Sequence, residues 1–372
     1  MIAAPPLWMY LTGFLLLLGP LVTVHELGHY LVGRWFGVKA DKFSVGFGKE
    51  LAGFTDSRGT RWRLSALPLG GYVQFAGDIN PAGQSSPEWL ALPAAERALT
   101  FQAKPLWQRA LIVAAGPVTN LLLAVAILAA FNLAYGRPVL PPRIGEIQAG
   151  SSADLAGLRK GDLIVALDGE PVTDFLTLRQ EIMTSPGVRF TMTVEREGER
   201  RTVGLIAQAA TISDEFGNKG KVGRLGIAPA GKVEIVRLGP VTAVTQAVRD
   251  TGGILVIMVR GIRQIVTGVQ PLSELGGPIK IAKVSGERLT LGWIQFAELA
   301  AMVSINLAFI NALPIPGLDG GHLAFYAAEA IRRKPLGKRS QEWAFRTGLA
   351  FVLALMLFVT INDIVSLPAL GG

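Results

Sequence analysis

A glutamate and two histidines lie inside the first apolar run of this chain, and that placement limits what the chain can fold into. Residues 7–33 carry no charged side chain before "VTVHELGHYLVG" brings in His25, Glu26 and His29. An ionisable group at the centre of a bilayer costs about 2.5–3.5 kcal/mol on insertion scales, so it must face a cavity, a partner or an ion rather than lipid. Half of the 372 residues are hydrophobic and 17% are charged, the composition of a chain that lies at least partly in a bilayer. The net charge of +8 fits basic loops beside spans, and no basic patch interleaved with aromatics points to nucleic acid. With no cysteine there is neither a disulfide framework nor a thiolate metal site. A metal would have to use nitrogen and oxygen donors, and the histidines available are three: His25, His29 and His322.

Four apolar runs organise the chain: about 7–33, 107–135, 291–318 and 345–362. The first lacks a basic leader and a small-residue cleavage site, which predicts a retained span. Residues 41–75 alternate apolar and polar side chains with glycine punctuation and a turn near 56–59, predicting a small β-hairpin or sheet. Residues 138–210 turn polar and glycine-rich, with a helical period in "DFLTLRQEIMTSPG" and two strands around a Glu-Gly turn. They predict a compact α+β domain inserted between spans. Residues 211–290 read as a linker plus an amphipathic helix on the membrane surface over 233–268, since Arg249, Arg260 and Arg263 recur too centrally for a span. The expected fold class is thus a multi-pass α-helical membrane protein with about four spans. It divides into an N-terminal membrane half (1–137), the inserted domain, the linker region and a C-terminal membrane half (291–372). The short loop "RRKPLGKR" at 332–339 is strongly basic, which places it and the 34–106 loop in the cytoplasm. The inserted domain and both termini then fall outside, in the periplasm of a bacterial inner membrane.

His25-Glu26-Leu27-Gly28-His29 is an H-E-x-x-H motif. On a helix, positions i and i+4 share a face, so both imidazoles can hold one ion, with Glu26 placed as general base rather than ligand. Zinc suits two histidines and an oxygen donor. Candidates for the third ligand sit in "NALPIPGLDGGHL", residues 311–323, where Pro314 and Pro316 break the third run. Unwound backbone at membrane depth implies a lined cavity. Asp319 is the stronger candidate and His322 a rival on chemistry alone; the bland reading is that Asp319 caps a turn. The span count puts the HELGH motif and Asp319 at matching depth towards the cytoplasmic side. Asn120, in "AAGPVTNLLLA", either bonds a neighbouring helix or contributes to the site.

Together these motifs resemble the site-2 protease family of intramembrane zinc metalloproteases, and "FSVGFGK", "LPLGGYV" and "LGGPIKIAK" look like its bacterial regulator of sigma-E proteases. The resemblance implies one zinc ion held by His25, His29 and Asp319, with Glu26 as the base. It implies that Asn120 and Asn311, with Gly70 and Gly71, hold substrate, and that the 41–75 element presents it in extended form on the cytoplasmic side. It makes the inserted domain a PDZ domain, one where the best-known relatives carry two. The implied activity is peptide-bond hydrolysis in or near the span of single-pass proteins in the bilayer. Pre-trimmed anti-sigma factors and signal-peptide remnants are the implied substrates. Rivals from other classes are a di-iron oxygenase, which needs more histidines, a metal transporter, which needs more intramembrane carboxylates, and a non-catalytic PDZ-bearing scaffold.

Overall fold

The computed structural model describes residues 5–78, 92–213, 219–270, 276–334 and 337–365. Two compact units divide the chain, one formed by residues 1–128 with 276–363 and the other mainly by 129–275. Among the described residues, four helices are long and apolar enough to cross a membrane.

The first unit begins with α1 (Leu7–Trp35), which carries HELGH in its C-terminal half. Two long strands follow, β1 (Ala40–Thr55) and β2 (Arg61–Phe75). Each bends back on itself, helped by Gly46 and Gly48 at φ +90° and +88°. Residues 42–45 therefore pair with 61–64 on one edge and with 71–74 on the other, while 61–64 pair again with 52–55. Segment 71–75 is left at the edge of this sheet. The turn between the strands closes where Asp56 Oδ1 accepts from the Arg58 and Thr60 amides. Tyr30, Phe43, Val73, Phe75 and Ile112 bury the sheet against α1, and Phe75 fills the space that a side chain at Gly33 would need.

After the short α2 (Ala94–Arg97), α3 (Leu106–Tyr135) is the second long apolar helix. The second unit starts at its last turns. Its strands are β3 (Arg137–Val139), β4 (Ile144–Ile147), β5 (Leu163–Leu167), β6 (Glu170–Pro171), β7 (Arg189–Arg196), β8 (Glu199–Ile206), β9 (Gln208–Ser213), β10 (Lys219–Arg224), β11 (Ile227–Pro229) and β12 (Glu234–Val236). Helices α4 (Ser152–Leu155) and α5 (Phe175–Met183) lie among them. The order β6-β5-β7-β8 forms the central sheet, and β7 turns into β8 through Glu197 and Gly198, both at positive φ, as the Glu-Gly pair predicts. Pairing of β4 with β11, and burial of Leu225 in the same core as Ile144, Phe175 and Met192, extend this domain past the expected boundary at 210 to residue 229. β11 returns to pair with β4, near the start of the domain. Asp162, 1% exposed, anchors Arg196 and the Arg159 amide beneath it.

The amphipathic helix is α6 (Pro240–Val266), shorter than the expected 233–268 because β12 occupies its first residues. Returning to the first unit, α7 (Pro278–Leu291) is a helix the sequence reading left inside a linker. The buried carboxylate of Asp363 caps it, accepting from the Gly277 and Lys280 amides at 3.0 Å each. Next come α8 (Trp293–Ala312), α9 (Asp319–Arg332) and α10 (Lys338–Val365), which carries Asp363. The third apolar run thus ends its helix at Ala312, six residues before the expected 318, and α9 opens a new helix at Asp319. Leu17, Leu21 and Phe296 form the core where α1 meets α8, with Leu123 of α3 and Ile281 of α7 packed on it.

The crossing of α1 and α7 is close: a Cβ on Gly13 would stand 2.8 Å from the Ser285 backbone, and one on Gly286 would strike Tyr10. Overpacking of this kind costs about 1–3 kcal/mol. Gly13→Leu should lower the thermal midpoint of the detergent-solubilised protein, whereas Gly19→Leu, where the structure leaves open space, should not.

Candidate active site

His25 and His29 point from one face of α1 towards the start of α9. The His25 Nε2 to His29 Nε2 distance is 3.2 Å, and Asp319 Oδ2 lies 3.1 and 3.5 Å from them. Donors on three corners of a tetrahedron with bonds of about 2.0–2.1 Å stand about 3.3 Å apart, so the spacing suits a zinc ion. Asp319 Oδ2 is buried and has no hydrogen-bond partner among the described residues, the mark of an acceptor that a cation completes. Among the described residues these three form the group that could hold a metal ion. His322 lines the same cavity but is outside that group. Burial, with Asp319 opposing and His29 assisting, holds its imidazole below the ordinary pKa.

The surroundings orient the donors. His29 Nδ1 meets the Ile112 carbonyl at 2.9 Å, which makes Nδ1 the protonated nitrogen and leaves Nε2 free to bind metal. Asn120, fully buried, stands 3.4 Å from His25 Nδ1, and its Oδ1 has no partner. Turning the amide end over puts Oδ1 on the His25 Nδ1–H and satisfies both atoms. Asn120 therefore sits behind His25 and is not on the cavity wall, a different place from the substrate contact expected of it. On its other side the Ser304 hydroxyl of α8 donates to the Asn120 carbonyl.

Gly116 is the residue that sequence reasoning missed. A Cβ there would run into His29 Nε2 and stand 2.8 Å from His25 Cε1, so the two rings occupy the space its missing side chain leaves. The signal was present in "AAGPVTN", beside the asparagine that drew attention. Pro117 adds a second effect: lacking an N–H, it frees the carbonyl of Val113, which lines the cavity. On the other side, glycines 320 and 321 allow the first turn of α9 to press on the backbone of Ala312, Leu313 and Ile315, which fixes Asp319. Pro316 packs against Gly348 of α10 and belongs to this clamp, and neither Pro314 nor Pro316 is among the residues lining the cavity. Gly70 is likewise off the wall and adopts φ +138° beside Phe47.

A cavity of about 580 Å³ joins these parts. His25, Glu26, His29 and Asp319 line it together with Asn311, and Gly71, Tyr72 and Val73 of the sheet edge form a facing wall. A Cβ on Gly71 would come within 3.3 Å of Glu26 Cγ, so the edge passes directly beside the glutamate.

Two histidines on a membrane-type helix, an aspartate opening α9 and a glutamate next to the first histidine are the donor set and base of the metallopeptidase class. Residues 13–355 match the model of Peptidase family M50, and the chain belongs to that family of zinc metalloproteases. It is 45% identical over 362 residues to a protein of Agrobacterium fabrum named "Putative zinc metalloprotease Atu1380", covering 96% of each chain. A similarly named protein of Rhizobium meliloti is 42% identical, covering 94% of this chain and 95% of its own. "Metalloprotease MmpA" of Caulobacter vibrioides is 35% identical, covering 95% of both.

Asp319→Ala should abolish stoichiometric zinc measured by mass spectrometry on the purified protein, and His322→Ala should retain it. Gly116→Ala should weaken zinc affinity by about 10–100-fold through the displaced imidazoles.

Proposed function

We propose that the chain is an intramembrane-cleaving peptidase of the site-2 type, hydrolysing a peptide bond in or beside the span of single-pass substrates. The observation that carries this reading is one cavity onto which the metal-ligand group, Glu26, Asn311 and a sheet edge with no neighbouring strand among the described residues all open. Bound by His25, His29 and Asp319, one zinc ion supplies Lewis acidity towards the scissile carbonyl and lowers the pKa of water. Glu26 accepts the proton of the attacking water and passes it to the leaving amide nitrogen. Asn120 holds His25 in the ligating tautomer, and the Asn311 amide steadies the substrate backbone.

A helical substrate hides its carbonyls in its own hydrogen bonds and must be drawn out before attack. Segment 71–75 offers an edge on which an unwound stretch adds as a strand, held by main-chain bonds with little sequence preference. Gly71 keeps that strand close to Glu26. Phe47, Leu51, Phe54, Leu64 and Leu67 expose apolar side chains on the same sheet, fitting one that dips into the bilayer interface.

The inserted domain is proposed as a single PDZ domain. In its support, a groove of about 610 Å³ runs between β11 and α5, walled by Phe175, Leu178, Ile182, Leu225 and Ile227. We propose that this domain lies in the periplasm of a bacterial inner membrane and the catalytic group towards the cytoplasm; the basic 332–339 loop and a count of four spans support that reading. There the domain acts as a gate for substrates already trimmed of bulky outer portions: a shortened anti-sigma factor in regulated intramembrane proteolysis, or signal-peptide remnants.

Glu26→Gln in proteoliposomes should slow cleavage of a single-span model substrate by about 10²–10⁴-fold while zinc content stays constant. Undiminished cleavage would remove Glu26 from the mechanism. Cleavage by neither protein would favour a non-catalytic scaffold.

A further inference from the structure

Asp78 lines the catalytic cavity and has no cationic partner among the described residues. Its Oδ1 accepts from Gln102 Nε2 at 2.6 Å and its Oδ2 from the Phe75 amide at 3.2 Å. Gln102 Oε1, on the same side chain, is buried with no hydrogen-bond partner among the described residues. Two acceptor groups therefore stand together without a positive charge, an arrangement that is costly unless a donor cation arrives. Burial, with Asp41 adding its negative charge, pushes the Asp78 carboxyl up to about 7. Around Asp78 the cavity wall is aromatic: Phe75 and Phe101, stacked at 5.8 Å, are open to a ligand, while the Tyr326 ring already carries the Arg109 guanidinium at 5.1 Å, which is ion-paired to Glu329. Such a wall covers the aliphatic stem of a long basic side chain and attracts its head.

The sheet edge sets the position of this pocket. Segment 71–75 passes Glu26 at Gly71 and reaches Gly33 at Phe75, whose amide is the one that Asp78 holds. A strand laid along that edge rises about 3.3 Å per residue, so its side chain about four positions from the one beside Glu26 arrives at Asp78. Membrane spans carry lysine and arginine on their cytoplasmic flank. We propose that Asp78, walled by Phe75 and Phe101, is a specificity subsite for a lysine or arginine side chain on the flank of the substrate's span, about four residues from the scissile bond. This rests on the peptidase reading above for the identity of the ligand. The subsite would make the basic flank a ruler, so that a main-chain-reading site with little side-chain preference still cuts at a defined place.

The test uses the full-length protein in liposomes and single-span substrates that differ only in a lysine or methionine at the flank. The native protein should cleave the lysine form about tenfold faster, and the ratio should collapse towards one in Asp78→Asn. On the native protein, moving the lysine two positions should move the scissile bond by two, which keeps the test independent of how well the variant folds. Equal rates for both substrates, a ratio unchanged in Asp78→Asn, or a cut that ignores the moved lysine would each overturn the subsite. A separate arm measures binding of the labelled substrates to Glu26→Gln. Tighter binding of the lysine form, lost on adding Asp78→Asn, would uphold the subsite even if nothing is cleaved and the peptidase reading fails; equal binding would overturn it.

Discussion

Three lone pairs crowd one another between α1 and α9, and much of the first unit is arranged to keep them there. Two imidazole nitrogens and a carboxylate oxygen at 3.1–3.5 Å are mutually unfavourable until a cation is shared among them. Gly116 makes room for the rings, the Ile112 carbonyl and Asn120 hold their outer nitrogens, and the glycines after Asp319 lock its helix onto the preceding loop. Each device acts on orientation rather than on stability, which is what metal sites require of the residues behind the ligands.

Apolar runs and short motifs made a large part of this legible before any coordinates. HELGH carries its own geometry, because i and i+4 share a helix face wherever that helix lies, and "LDGG" after two prolines signals a broken helix with a carboxylate at the break. What stayed hidden depends on contacts between distant segments. The β4–β11 pairing joins residues some eighty positions apart, and no local period announces it. Gly116 reads as one small residue in an apolar helix until the histidines are placed against it. Asn120 was noticed for the right reason, a polar amide in a span, but the side of His25 on which it stands is a matter of packing alone. The α7 helix was lost in a linker because its cap comes from Asp363, on another helix.

Strand addition at a sheet edge, as proposed above, would give a β element a place among membrane helices. A helix bundle can hold a metal, yet it has no free main-chain groups to offer an unwinding peptide, since its own hydrogen bonds are internal. The bent β1–β2 pair supplies those groups within reach of Glu26, and Tyr30, Phe43 and Trp62 tie it to α1 so that the edge and the glutamate keep one spacing.

The dependence of α7 on Asp363 has a consequence for how the molecule comes into being. α1 emerges from the ribosome first, bearing two of the three donors, but the helix it packs on at Gly13 stays uncapped until residue 363 has been made. Pro316, beside the third donor, likewise waits for Gly348. The three donors are therefore held in place by contacts that run between the two ends of the chain, from Gly13 to Asp363.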